Sequence, residues 1–218
     1  MSSRNAFPSL YPILDAGILS ADPDVRRGEL LRVVRRVVDA GVTILQYRNK
    51  TGGDEQVLED ARWIRDGAGP DPTLILNDRV DLVERAGFDG AHVGQGDMTP
   101  AVARRILGPG RVLGVSTHNA EQLAVADKAP VDYIAIGPVF ETSSKENPDP
   151  VVGLEGVRVA RRLTTRPLVA IGGIGPGNAK AVMEAGAECV AVISAVFGAV
   201  VEPVEAGRRV SEFLKILG

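Results

Sequence analysis

Residues 74–97 read LILNDRVDLVERAGFDGAHVGQGD, and the fold turns on them. Leu74-Ile75-Leu76 is a short apolar run that stops at the polar pair Asn77-Asp78. A polar-apolar segment follows, with a glycine at Gly87 where a helix would need a left-handed cap. A second apolar run, residues 90–93, then ends in a glycine loop carrying Asp97. Neither run alternates between apolar and polar. Uniformly apolar runs of strand length are the mark of parallel strands buried on both faces. The stretch therefore reads as strand, helix, strand, with an acid waiting just past each strand.

The same unit recurs outward in both directions. Strands are expected at residues 10–14, 43–46, 73–76, 90–93, 112–115, 133–136, 168–171 and 189–193. The clearest helix between them is residues 26–39, RRGELLRVVRRVVD. There Leu30, Leu31, Val34, Val37 and Val38 fall on one side of a basic, solvated face. Thr99-Pro100 and Pro176 mark two further helix starts, with proline at a first-turn position. Gly41 and Gly186 follow helical stretches as Gly87 does. No linker or composition break divides the chain, so residues 1–218 are read as one domain. Eight strand–helix units favour an α/β (β/α)8 TIM barrel over an open doubly wound sheet, although strand count alone does not prove closure.

Composition narrows the function classes. The 218-residue chain is 44% hydrophobic with a net charge of −3. It has no basic footprint for nucleic acid or an anionic membrane. No segment reaches the roughly 20 apolar residues of a membrane span, and MSSRNAFPSLYPI lacks a secretory pattern. The lone cysteine, Cys189, lies in an apolar run and reads as core, which points to a reduced, cytoplasmic compartment.

A barrel demands that chemistry cluster at the carboxyl ends of its strands. After the second run comes QYRNK, with Gln46, Arg48 and Lys50 on one side of an extended chain. Asn77 and Asp78 follow the third run, Gln95 and Asp97 the fourth, and Ser116, Thr117 and His118 the fifth. The last three runs end in GPVFETSSK, IGGI and ISA. Taken singly these are weak signals: an Asn-Asp pair also caps helices, paired glycines also make tight turns, and His92 and His118 both fit structural roles. Together they offer cations, hydroxyls and flexible backbone for phosphate, and two carboxylates for a metal. Mg²⁺, which takes a few carboxylates plus substrate phosphates, fits Asp78 and Asp97 on neighbouring strands; no cluster has zinc spacing.

In combination these blocks resemble the thiamine phosphate synthase (thiamine-phosphate pyrophosphorylase) family. QYRNK resembles its Q-x-R-x-K, LNDRVDL its N-D and HVGQGD its H-x-G-Q-x-D. LGVSTHN, DYIAIGPVFETSSK, VAIGGI and VAVISA follow in the family's order, so the match spans residues 11–194. The resemblance implies a transferase of thiamine biosynthesis. It would join the pyrimidinylmethyl group of hydroxymethylpyrimidine diphosphate to the nitrogen of a thiazole phosphate, releasing pyrophosphate. Gln46, Tyr47, Arg48, Asn49, Lys50, Asn77, Ser116 and Lys145 would then hold the pyrimidine diphosphate. Arg48, Lys50, Lys145 and Ser116 would carry catalysis, and Asp78 and Asp97 would bind Mg²⁺. Thr142, Ser143, Ser144, Gly173, Ile193 and Ser194 would hold the thiazole phosphate.

One departure stands out: Glu141 occupies a position where the family usually has proline, an acid beside an expected phosphate site. Three other readings share the barrel. Thiazole tautomerases use a histidine where His118 stands, but have little use for an acid pair. A non-catalytic phosphate-ligand sensor would have lost the acids or Lys145. Phosphosugar isomerases of similar barrels need a general acid/base set, whose candidates here serve better as metal ligands. Residues 141–152 form the candidate lid. The sequence leaves open whether the chain forms a homo-oligomer and whether the thiazole carries a carboxylate.

Overall fold

The computed structural model describes residues 7–142 and 149–218. Eight parallel strands close in sequence order: β1 (Leu10–Asp15), β2 (Ile44–Arg48), β3 (Thr73–Asn77), β4 (Gly90–Val93), β5 (Val112–Thr117), β6 (Tyr133–Ile136), β7 (Leu168–Ile171) and β8 (Cys189–Val192). The seam is β1 against β8, with Leu10 opposite Val190 and Pro12 opposite Val192. The expected barrel is therefore the observed one.

Helices α1 (Pro23–Asp39), α2 (Asp54–Ala68), α3 (Val83–Ala86), α4 (Pro100–Leu107), α5 (Ala120–Asp127), α6 (Gly153–Leu163) and α7 (Pro176–Glu184) return the chain between strands. A short α8 (Ser194–Phe197) leads into the closing α9 (Pro203–Leu217). Among the described residues, no helix is long and apolar enough to cross a membrane.

Alternation along each strand divides the core in two. Tyr11, Ile13, Ile44, Ile75, Tyr133, Val169 and Cys189 fill the inside of the barrel. Leu14, Leu45, Leu74, Leu76, Leu113, Ile134 and Val190 sit on the outside, beneath the helices. Both sets are buried, which is why the runs looked apolar throughout. Gly87 is the left-handed cap expected after a helix, at φ 66°.

The lower rim, where strands begin, carries a repeated clasp. Asp89 accepts from Arg65 of α2 (2.7 Å) and from the Leu74 amide of β3 (2.8 Å), one residue past the start of that strand. Asp132 does the same for Arg104 of α4 and Leu113 of β5, both at 2.7 Å. Glu188 joins Arg161 of α6 to Leu168 of β7, again both at 2.7 Å. Each acid immediately precedes an even-numbered strand, so one carboxylate ties a helix and two neighbouring strands together.

Candidate active site

At the opposite, carboxyl end of the strands lies a cavity of about 400 Å³. Gln46 and Arg48 of β2, Asn77 of β3, His92 of β4 and Ser116 of β5 line one side. Each occupies an inward position of its strand, as alternation requires. Among the described residues, the Asn77 Nδ2 amide is the buried side-chain donor with no protein partner. A buried N–H left unmatched is costly and needs an explanation, and this one lines a cavity.

Charges gather beside Asn77. Asp78 pairs with Lys50 and hydrogen-bonds Asp97. Asp97 is held in its glycine loop by the Gly94 amide at 2.8 Å. Asp78 also has φ 60°, the positive-φ non-glycine residue among those described. An L-residue there is strained, although aspartate tolerates the region better than most. Burial, followed by the neighbouring Asp97, raises the Asp78 pKa against the pull of Lys50. Burial also acts upward on Asp97, but hydrogen bonds from Asp78 and Gly94, with the Lys50 charge, bring it below the usual value. The two carboxylates therefore disfavour each other's charge, a conflict that a cation between them would relieve. No third carboxylate, imidazole or thiolate joins it among the described residues.

Arg48 is neutralised as well, by Asp15 at the end of β1. The sequence reading missed Asp15 because it ended the first strand at Leu14. Yet Asp15 obeys the same rule as the residues found: β1, β2, β3 and β5 all run on into polar residues.

Tyr47 and Asn49, expected among the pyrimidine ligands, are not brought to the cavity. They occupy alternate positions to Gln46 and Arg48 and face the helices. The Tyr47 hydroxyl meets Asp60 of α2, which accepts a two-pronged ion pair from Arg26 of α1 at 2.8 and 2.6 Å. Asn49 donates to Tyr47 (3.0 Å) and accepts from the Gly52 amide (2.7 Å). The two residues thereby anchor the strand end that carries Arg48 and Lys50.

The other side of the cavity is mostly backbone. Gly172 and Gly173 take φ of 101° and 64°, and a Cβ on Gly173 would lie 2.4 Å from the Glu141 carbonyl. Only glycine lets the β6–α6 connection rest on this turn. Ile193 and Ser194, at the start of α8, line the cavity too, as does Thr142. Loops after strands seven and eight with a short extra helix form the customary barrel phosphate cup. Glu141 itself is exposed and is not part of the lining, so the acid in place of proline stays outside the cup. Ser143, Ser144 and Lys145, with half of the candidate lid, lie outside the described residues.

His118 lines the cavity with its Nδ1 2.6 Å from the Gly137 carbonyl and its Nε2 3.4 Å from Asp149.

With this geometry in place, comparison with known proteins is decisive. Residues 10–196 match the thiamine monophosphate synthase family. The chain belongs to that family. It is 49% identical to the thiamine-phosphate synthase of Koribacter versatilis, over all of this chain and 99% of that protein. The thiamine-phosphate synthase of Chloroflexus aurantiacus is 42% identical, over 87% of this chain and 85% of the relative. Among solved structures, the thiamine phosphate pyrophosphorylase of Pyrococcus furiosus superposes with a TM-score of 0.78 at 31% identity, covering 96% of this chain and 95% of its own. The family is one of transferases in thiamine biosynthesis. Its members share this barrel, and the residues that drew attention at the strand ends lie at the end where barrel enzymes work.

Proposed function

We propose that the protein is a thiamine phosphate synthase, transferring the aminopyrimidinylmethyl group from its diphosphate to the ring nitrogen of a thiazole phosphate. The observation that carries this reading is the strained Asp78 facing Asp97 and Lys50, directly beside the orphan amide of Asn77. With Asp78 ionised, Lys50 and Arg48 contribute two positive charges and Asp15, Asp78 and Asp97 three negative ones. That cluster is then negative by one, wrong for a diphosphate unless a divalent cation accompanies it. Asp78 and Asp97 suit Mg²⁺, which needs few protein carboxylates when substrate phosphates complete its shell. Bound there, it would supply positive charge to the diphosphate oxygens.

The protein groups then divide the work. Arg48 and Lys50 would exchange Asp15 and Asp78 for diphosphate oxygens and stabilise the charge that grows as the C–O bond breaks. Lys145 is proposed to do likewise. Gln46, Asn77 and Ser116 would fix the aminopyrimidine, whose electron-rich ring supports the departing methylene cation. Gly173, Ile193, Ser194 and Thr142, with Ser143 and Ser144, would hold the thiazole phosphate. This places the thiazole nitrogen lone pair to form the new C–N bond. Pyrophosphate takes the electron pair of the broken C–O bond. No protein nucleophile is required.

The test is the purified protein with both substrates, with Mg²⁺ or with EDTA, followed for thiamine phosphate and pyrophosphate. Formation of both products in equal amounts, abolished by EDTA, is expected. Thiazole tautomerisation that survives EDTA but is lost in His118→Ala would overturn the assignment in favour of the His118–Asp149 pair.

A further inference from the structure

Beneath the cavity, five side chains from β1, β2, β4, β5 and β6 form a continuous hydrogen-bonded chain through the barrel interior. Gln46 Nε2 donates to the Tyr11 hydroxyl at 2.8 Å, and the Tyr11 and Tyr133 hydroxyls are 2.9 Å apart. Tyr133 is 2.9 Å from His92 Nδ1, and His92 Nε2 is 2.8 Å from Ser116 Oγ. Tyr11 is 1% exposed and Tyr133 fully buried, so neither can exchange its partner for solvent. We propose that Tyr11 and Tyr133 are positioning residues of the reaction: they form a one-way relay that fixes the His92 tautomer and turns the Ser116 hydroxyl into a hydrogen-bond donor facing the cavity. The proposal rests on the functional reading above for its kinetic consequence but not for its tautomer.

Direction follows from counting protons. A phenol has one to give. Tyr11 already accepts from Gln46, so its own proton goes to Tyr133. Tyr133 is then an acceptor on that side and gives its proton to His92 Nδ1. A neutral imidazole with an accepting Nδ1 carries hydrogen on Nε2, which donates to Ser116. The Ser116 oxygen accepts inside the relay, and its hydrogen is left for the cavity. Reversing the chain would aim two donors at the Tyr11 oxygen and leave a buried O–H without an acceptor, the costlier arrangement. Burial foremost raises the pKa of both tyrosines, so they remain phenols throughout the working range.

Ring packing holds the relay in register. Tyr133 stacks on His92 at 5.5 Å and meets Tyr11 edge-on at 5.9 Å. Tyr→Phe substitutions keep these rings and remove only the protons. They therefore separate relay from packing.

The experiment is ¹⁵N NMR of the two histidine side chains in the ligand-free protein, with His118→Ala for assignment, alongside kinetics of Tyr133→Phe, Tyr11→Phe, Ser116→Ala and Tyr133→Phe/Ser116→Ala. Expected is a single Nε2–H tautomer for His92 in the wild type and a tautomer mixture in Tyr133→Phe. Turnover should fall about tenfold in Tyr133→Phe, one hydrogen bond's worth. The Michaelis constant for thiazole phosphate should stay within about twofold, as expected if only the pyrimidine half is affected. The double variant should be no slower than Ser116→Ala, since both changes act through one hydroxyl. An Nδ1–H tautomer in the wild type overturns the relay, as do an unchanged tautomer and turnover in both Phe variants, or additive losses in the double variant. Tautomers need no substrate. Absence of synthase turnover would therefore count against the functional reading alone, and should Tyr133→Phe fail to fold, Tyr11→Phe and the wild-type spectrum still decide.

Discussion

Asp78 pays twice for its position, once in backbone strain and once in a like-charged neighbour, and nothing in the folding of β3 requires either. Asparagine tolerates the same left-handed backbone and keeps the shape, so Asp78→Asn isolates the charge. Turnover should fall by about 10²-fold or more, the typical loss of a group acting on developing charge. The melting temperature should hold within a few degrees, and comparing thermal melts with Mg²⁺-saturated rates checks both. Asn77 makes a sharper case, because its Nδ2 has no protein partner to lose. Asn77→Ala should leave ligand-free stability unchanged or raised, as an unmatched buried donor costs about 1–3 kcal/mol. Calorimetric titration with the pyrimidine diphosphate should show weakened binding. Stability and binding falling together would return Asn77 to the structural residues. Much of this was legible in the sequence, since Gln46, Arg48, Asn77 and Ser116 emerged from their places at the carboxyl ends of apolar runs. Alternation turns Tyr47 and Asn49, which the family resemblance had included, toward the helices. Tyr11 and Tyr133 were hidden because a hydroxyl on an aromatic in an apolar run gives no sign of what it meets across the barrel.

At the level of elements, the Arg–acid clasps show what the amino ends of strands are for. An acid just before a strand reads in sequence as a turn residue, so Asp89, Asp132 and Glu188 attracted no notice. Only the fold shows each one joining a helix arginine to the next strand's amide. Arg104→Met keeps most of the packing and removes the clasp on Asp132. The Asp132 side chain is 52% exposed, which discounts the ion pair. The arginine's bonds to the Gly108 and Arg111 carbonyls (2.9 and 2.6 Å) restore part of the loss. A cost of about 2 kcal/mol in urea unfolding is expected, with turnover per folded molecule unchanged. The surface of α9 offers a pH test. Hydrogen bonds from Arg208, chiefly, then Arg209 lower Glu205 from its ordinary 4.5 to about 2. A depressed carboxylate stabilises the fold above its unfolded pKa and loses that contribution as pH falls toward the folded one. The melting-temperature gap between wild type and Glu205→Gln should therefore be present at pH 6 and shrink between pH 4.5 and 2. A gap that widens on acidification would contradict the pairing.

Across the whole molecule, the barrel separates chemistry at one end from stability at the other. Eight runs buried on both faces favoured closure without proving it, because an open doubly wound sheet buries its strands in the same way. The register of the seam was not readable, since Leu10 opposite Val190 depends on how all eight strands stagger. The separation predicts opposite arithmetic at the two ends. The clasps at Arg65 and Arg104 share no partner, so Arg65→Met and Arg104→Met should add within about 0.5 kcal/mol in unfolding free energy. Asp78 and Asp97 instead perturb each other's charge and, on the functional reading, share one cation. Asp78→Ala and Asp97→Ala should each remove nearly all turnover, and the double variant should lose little more. Parallel double-variant cycles, urea unfolding for the arginines and steady-state rates for the aspartates, measure both. Independent, multiplying losses from the two aspartates would mean that they hold different groups, and the single shared cation would have to be abandoned even if the protein still made thiamine phosphate.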